Sequence, residues 1–134
     1  MNVSAHSGGN VVTRRVAGAA GLLVGGLSVL AGSRVLLGLS IPSYAVQRWL
    51  VLYNVFAGGI SIIAGLGLWS RRYWAPRLAA VIAAVHMIVL IVLVGSSALG
   101  ESVATESVGA MTFRSVAWLG IVWLARLSRL RTRR

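Results

Sequence analysis

A chain of 134 residues that is 57% hydrophobic, with a mean hydropathy of +0.85, is too apolar for a soluble domain of its size and has room for one membrane domain. Its formal charge of +11 comes from 13 Arg against Glu101 and Glu106, but these arginines stand at the ends of apolar runs, where membrane topology explains them. A nucleic-acid surface would need a soluble scaffold that the chain lacks. The absence of Cys excludes disulfide exchange and thiolate metal ligation.

Taken in order, residues 1–13 are rich in Ser, Gly and Asn and read as a disordered tail, with His6 a solvated member of it. Residues 14–127 read as a single four-helix transmembrane domain with spans at about 16–41, 49–69, 78–99 and 108–125, followed by a basic tail at 128–134. The first apolar run stops at Pro42. Its 26 residues make roughly 39 Å at about 1.5 Å each, more than the ~30 Å hydrocarbon core, so this helix must tilt or end early. A cleaved signal peptide is the rival reading there: Arg14 and Arg15 form a basic start, and Ala31, Gly32 and Ser33 a small-residue cleavage site. Apolar character resumes after Arg34, however, which a discarded leader does not need. The second span carries Tyr44 and Trp49 at one end and Trp69, Tyr73 and Trp74 at the other, the aromatic belt of a spanning helix. Pro76 stands where the third span begins, a position at which its missing N–H costs least.

An octet occurs twice in this frame, GGLSVLAG at 25–32 and GGISIIAG at 58–65. At helical spacing Gly18, Gly21, Gly25, Ser28 and Gly32 fall on one side of the first helix, and Asn54, Gly58, Ser61 and Gly65 on one side of the second. In lipid no hydrophobic force drives apolar helices together, so small residues that admit close backbone contact mark the packing seam.

Charge within a span is costly, about 3 kcal/mol at the centre on insertion scales, which singles out Arg34 and Arg114. Tyr53 and Asn54 fall near the same depth, and Glu101 and Glu106 stand in the adjoining loop, so the pattern outlines a polar cluster suited to an anion or a quinone-like head group. Arg34 can pair with one of these glutamates, serve a ligand, or lie past the end of its helix. Arg114 can snorkel to the rim, because helical side chains lean toward the N-terminus. His86, near the middle of the third span, is either a buried residue bonded across the bundle, to Ser28 or Ser61, or a proton-relay or substrate group. One His cannot provide the two axial ligands of a membrane cytochrome, and with no metal-ligand cluster or catalytic motif in view, neither a cofactor, a metal nor an enzymatic activity is expected. Trp118 and Trp123 read as packing and interface residues. The tail from Arg126 onward reads as a topology signal that also touches anionic lipid.

The stretches YNVFAGGISIIAGLGLWSRRYWAPRLAAVIAAVH at 53–86 and SVGAMTFRSVAW at 107–118 resemble small four-helix membrane proteins of bacteria, a group that implies the fold but no activity. Asn54 and the glycine octets echo fluoride channels without their Thr-Phe-Ser signature, small multidrug exporters carry a first-helix Glu absent here, and DoxX-type proteins match only in size and span number. No functional residue is carried over from any of them.

The expectation is therefore an all-α, four-helix membrane bundle in a bacterial inner membrane, acting as an accessory or scaffolding component with a membrane-protein partner or as a homo-oligomer. A small-solute or ion transporter is the alternative, and a quinone-binding redox subunit ranks third. With both termini inside, ten arginines (14, 15, 71, 72, 77, 126, 129, 131, 133 and 134) are cytoplasmic and three (34, 48 and 114) are not. Reporter fusions at Trp74 and at the C-terminus should accordingly read cytoplasmic and one at Thr105 external; loss of residues 16–33 from the mature protein, seen by N-terminal sequencing, would favour the signal peptide instead.

Overall fold

A computed structural model of the chain describes residues 4–41 and 47–130, with side chains over 11–41 and 47–128. Pro42, Tyr44 and tail residues 131–134 lie outside the described residues. The rest forms four helices: α1 (Ser4–Leu36), α2 (Arg48–Trp69), α3 (Ala75–Ala98) and α4 (Thr105–Leu130). Each is long and apolar enough to cross a membrane. α1 packs most extensively on α2 and also borders α4, while α3 borders α4 and, more lightly, α2, so the four close a ring.

Several boundaries differ from the sequence reading: α3 begins at Ala75, α4 runs from Thr105 to Leu130 into the segment read as the basic tail, and both ends of α1 are shifted. α1 begins at Ser4, so much of the segment read as a disordered tail is helical. A helix already nucleated in its apolar part propagates at low cost through residues that would not start one. At its other end α1 stops at Leu36 instead of running on to Ile41, because Gly38 adopts φ 70° and closes a Schellman motif with Leu39 N–H on Arg34 O (2.9 Å) and Gly38 N–H on Val35 O (3.1 Å). α3 ends in the same way at Gly100.

α2 repeats the motif without glycine. Arg71 takes φ 56° there, a left-handed conformation costing an ordinary residue roughly 1–2 kcal/mol, while Arg72 N–H reaches back to Gly67 O at 2.8 Å. Neighbours hold this turn. Arg14 of α1 donates through Nη2 to Arg72 O at 3.1 Å, a cation placed at the negative end of the α2 dipole, and the Arg15 guanidinium lies 5.9 Å from the centre of the Trp69 ring. Gly67 leaves room for Trp74, whose ring would stand 2.6 Å from any Cβ added there.

The α1–α2 contact is set by backbone. A Cβ on Gly25 would meet Gly58 O at 2.7 Å, and one on Gly58 would meet Gly25 O at 2.9 Å; Gly18 and Gly65 are related in the same reciprocal way, at 2.8 and 2.9 Å. Gly32 faces Val51 and Val55. The helices run antiparallel, and facing positions recur every seven residues, the period of a left-handed supercoil. Gly26 and Gly59, the second glycines of the two octets, have nothing within 4 Å.

Apolar side chains fill the ends of the bundle. At the end holding the chain termini, Ala17, Ala64, Leu68, Ala79, Ile82, Trp118 and Ile121 form the larger core. At the end holding the α3–α4 loop, Leu50, Leu93 and Met111 form a smaller one. Gly25→Leu or Gly58→Leu should lower stability by at least about 1–3 kcal/mol in a mild-detergent unfolding assay, because a partner backbone cannot swing aside, whereas Gly26→Leu and Gly59→Leu should be tolerated. Equal tolerance at all four positions would refute this account of the contact.

Candidate functional site

Between the two apolar clusters every helix contributes polar side chains: Ser28 from α1, Tyr53 and Asn54 from α2, His86 from α3 and Arg114 from α4. The placement follows from register. Ser28 lies one turn past Gly25 on the face turned to α2, and a Cβ on Gly58 would stand 3.0 Å from the Ser28 Cβ. Ser28 therefore serves both the seam and the site.

Arg114 is the centre of this layer. Its Nε–H donates to Ser28 Oγ at 3.0 Å and an Nη1–H donates to Asn54 Oδ1 at 3.0 Å, so one guanidinium ties α4 to α1 and α2. Each partner suits its role. The Ser28 hydroxyl spends its proton on Val24 O at 2.7 Å and is left an acceptor for Arg114, while Asn54 must turn its carbonyl oxygen to the cation and its NH2 away. Guanidinium has five N–H donors and two are used here; among the described residues neither Arg114 Nη2 nor Asn54 Nδ2 has a partner. Magnitudes show why that matters. An intramembrane Arg costs about 3 kcal/mol at the centre of a span, and hydrogen bonds between membrane helices average about 0.6 kcal/mol each, so two neutral acceptors do not offset the charge.

His86, 3% exposed, stands across the bundle against Tyr53, with ring centroids 5.7 Å apart in an edge-to-face pair. Its Nδ1 lies 2.9 Å from Ile82 O and 3.3 Å from the Tyr53 hydroxyl. A carbonyl only accepts, so the shorter contact places a proton on Nδ1 and leaves the hydroxyl as the weaker second acceptor. These partners are neither Ser28 nor Ser61; Ser61 is buried in the α1–α2 seam, near Gly25.

From Arg114 a partly open cleft of about 190 Å³ runs between α1, α2 and α4 toward the α3–α4 loop. Along α4 its wall is the row Glu106, Ala110 and Arg114, and along α2 it includes Gln47, Val51 and Asn54. Ala110 leaves open space between the acid and the base. Gln47, the residue before α2, makes no side-chain capping bond, and its Oε1 is buried without a partner among the described residues. The sequence reading missed Gln47, because a single amide beside Arg48 and Trp49 has no pattern to distinguish it from an interfacial residue.

The other sequence-derived candidates are placed elsewhere. Arg34 is exposed at the end of α1 and makes no ion pair with Glu101 or Glu106 among the described residues. Glu101 is exposed after α3, with its backbone N–H closing the turn on Ser96 O. Arg114 is directed at Ser28 and Asn54 and is only half-exposed, which is not the posture of a side chain snorkelling to the rim. Trp118 is fully buried, its ring 3.4 Å from where a Gly21 Cβ would be, and Trp123 is exposed. Among the described residues no three His, Cys, Asp or Glu side chains are grouped as a metal site would require.

The chain matches no family model, no curated protein and no solved structure. Its class rests on the fold: an all-α chain of four helices, each long and apolar enough to span a membrane, with a polar layer across its interior. In a double-mutant cycle, Arg114→Ala and Asn54→Ala should couple favourably by about 0.6–1.7 kcal/mol in mild detergent. Additive losses would mean that the contact contributes nothing to stability.

Proposed function

We propose that this protein is a carrier for a small solute bearing an anionic group, in a bacterial inner membrane with both termini cytoplasmic and the cleft open to the outside. The observation that carries the reading is Arg114: a half-buried cation held, among the described residues, by the neutral oxygens of Ser28 and Asn54, with donors left over at the floor of a cleft. A carboxylate or similar oxyanion would bring the opposite charge that neither neutral protein partner offers, in short and strong hydrogen bonds.

Size and closure narrow the choice. A volume of about 190 Å³ falls below the roughly 300–1,000 Å³ of pockets for drug-sized ligands, which supports a small solute over a quinone. Beyond Arg114 the core around Trp118 fills the bundle, so the cleft has one mouth. One mouth suits a carrier that alternates its access better than a continuous channel. The Arg asymmetry supports the orientation, placing the basic end formed by Arg14, Arg15, Arg71, Arg72, Arg77 and Arg126 in the cytoplasm.

A specific feature favours the accessory or scaffolding reading as second. Gly109 and Gly120 on α4 have nothing within 4 Å and are exposed, so the backbone of another helix could approach there.

Radiolabelled butyrate should bind the purified protein and enter proteoliposomes. Arg114→Gln should weaken binding by about tenfold or more, while Arg77→Gln, at the opposite end of the bundle, should leave it unchanged. No Arg114-dependent binding or uptake, together with a stoichiometric membrane partner in native purification, would replace the carrier with the accessory subunit.

A further inference from the structure

The cleft is polar at both ends, and its ends are opposite in kind. At the floor are donors: Arg114 Nη2 and Asn54 Nδ2, neither with a partner among the described residues. At the mouth are acceptors: the Glu106 carboxylate and, just behind the surface, the Gln47 Oε1, which has no partner among the described residues. Val51 and Ala110 line the wall between them. A simple anion would satisfy the floor, but it would share the cleft with the negative charge of Glu106 and leave the Gln47 oxygen unmatched.

Formal charges point the same way. Glu106 and Arg114 bring one negative and one positive charge into the same cleft, so its own charge is zero. Among the described residues they form no ion pair. Glu106 and Arg114 are eight positions apart on α4, so their Cα atoms are separated by about 12 Å along the axis. The Arg114 guanidinium is committed sideways to Ser28 and Asn54. Each charge is therefore left facing a gap that a small molecule can bridge.

We propose that the solute is a zwitterion of amino-acid type, its carboxylate on Arg114 and Asn54 and its ammonium on Glu106 and Gln47. The assignment rests on the carrier reading above and adds the second half of the ligand. Both ends then form charge-assisted hydrogen bonds, the Gln47 oxygen gains a donor, and the loaded cleft stays neutral. An ammonium group has three donors and no acceptor, which suits a mouth formed by a carboxylate and an amide oxygen. The apolar wall of Val51 and Ala110 fits a short methylene chain.

The test uses two pairs of probes that differ only by an amine, acetate against glycine and butyrate against γ-aminobutyrate. Affinities are measured on the purified full-length protein in mild detergent at fixed pH and salt. In at least one pair the amine should strengthen binding by about tenfold or more, as expected for a charge-assisted hydrogen bond. Glu106→Gln should abolish that preference. The comparison among ligands needs no variant, so a misfolded Glu106→Gln does not blunt it. If the carboxylates bind through Arg114 and neither amine improves on its parent, the zwitterion is overturned and the carrier stands. If no probe of either kind binds in an Arg114-dependent way, both fail.

Discussion

The structure depends on the backbone contact between α1 and α2. Gly18, Gly25 and Gly58 bring each helix so close to its partner that an added Cβ would lie 2.7–2.9 Å from the opposing carbonyl oxygen or amide nitrogen. In a bilayer, burying an apolar side chain against protein gains little over leaving it in lipid, so the gain lies in dense van der Waals contact along the line where side chains are absent. Such a contact is intolerant. It admits one register, because moving Gly25 or Gly58 off the contact would bring Val24, Leu27 or Ile60 against the opposing backbone.

That register also assembles the polar layer. Because Gly25 stands against Gly58, Ser28 and Asn54 come to one level and within reach of the same guanidinium. Arg114 then links the fourth helix to the first pair, and Tyr53, beside Asn54, links the pair to His86 on the third. Shape excludes most arrangements at the seam, while in the layer the cost of an unmet charge excludes any in which Arg114 is turned away from its acceptors. The two constraints meet at Ser28, whose small side chain fits the seam and whose oxygen accepts the cation.

The same geometry makes the layer open on one side. The core around Trp118 fills the bundle toward the termini, whereas toward the α3–α4 loop the small Ala110 leaves the space lined by Glu106, Gln47 and Arg114. The function proposed for the protein follows from that asymmetry. A polar layer sealed on both sides would serve only to align helices, and one open on both sides would conduct.

Local physics made several features legible in the sequence. Four apolar runs of spanning length require helices, since backbone groups in hydrocarbon must be bonded within their own segment. Small residues at steps of three and four mark the face each helix can bring closest to another, and intramembrane Arg114, Asn54, Tyr53 and His86 stand out because polar groups are expensive there. Helix ends were less legible: Gly38 could have been read as a stop, but Arg71 could not, since nothing in an arginine announces a left-handed turn that α1 supports from outside through Arg14. Tertiary structure alone decided which polar groups meet. Arg34 and Arg114 look equivalent by depth and charge, yet one ends on the outside of α1 and the other reaches Ser28 and Asn54. Gln47 joined the site for the same reason. Depth along a helix is written in residue number, but the direction in which a side chain points across the bundle depends on how the helices are rotated against each other, and that rotation is set by packing between segments far apart in the chain.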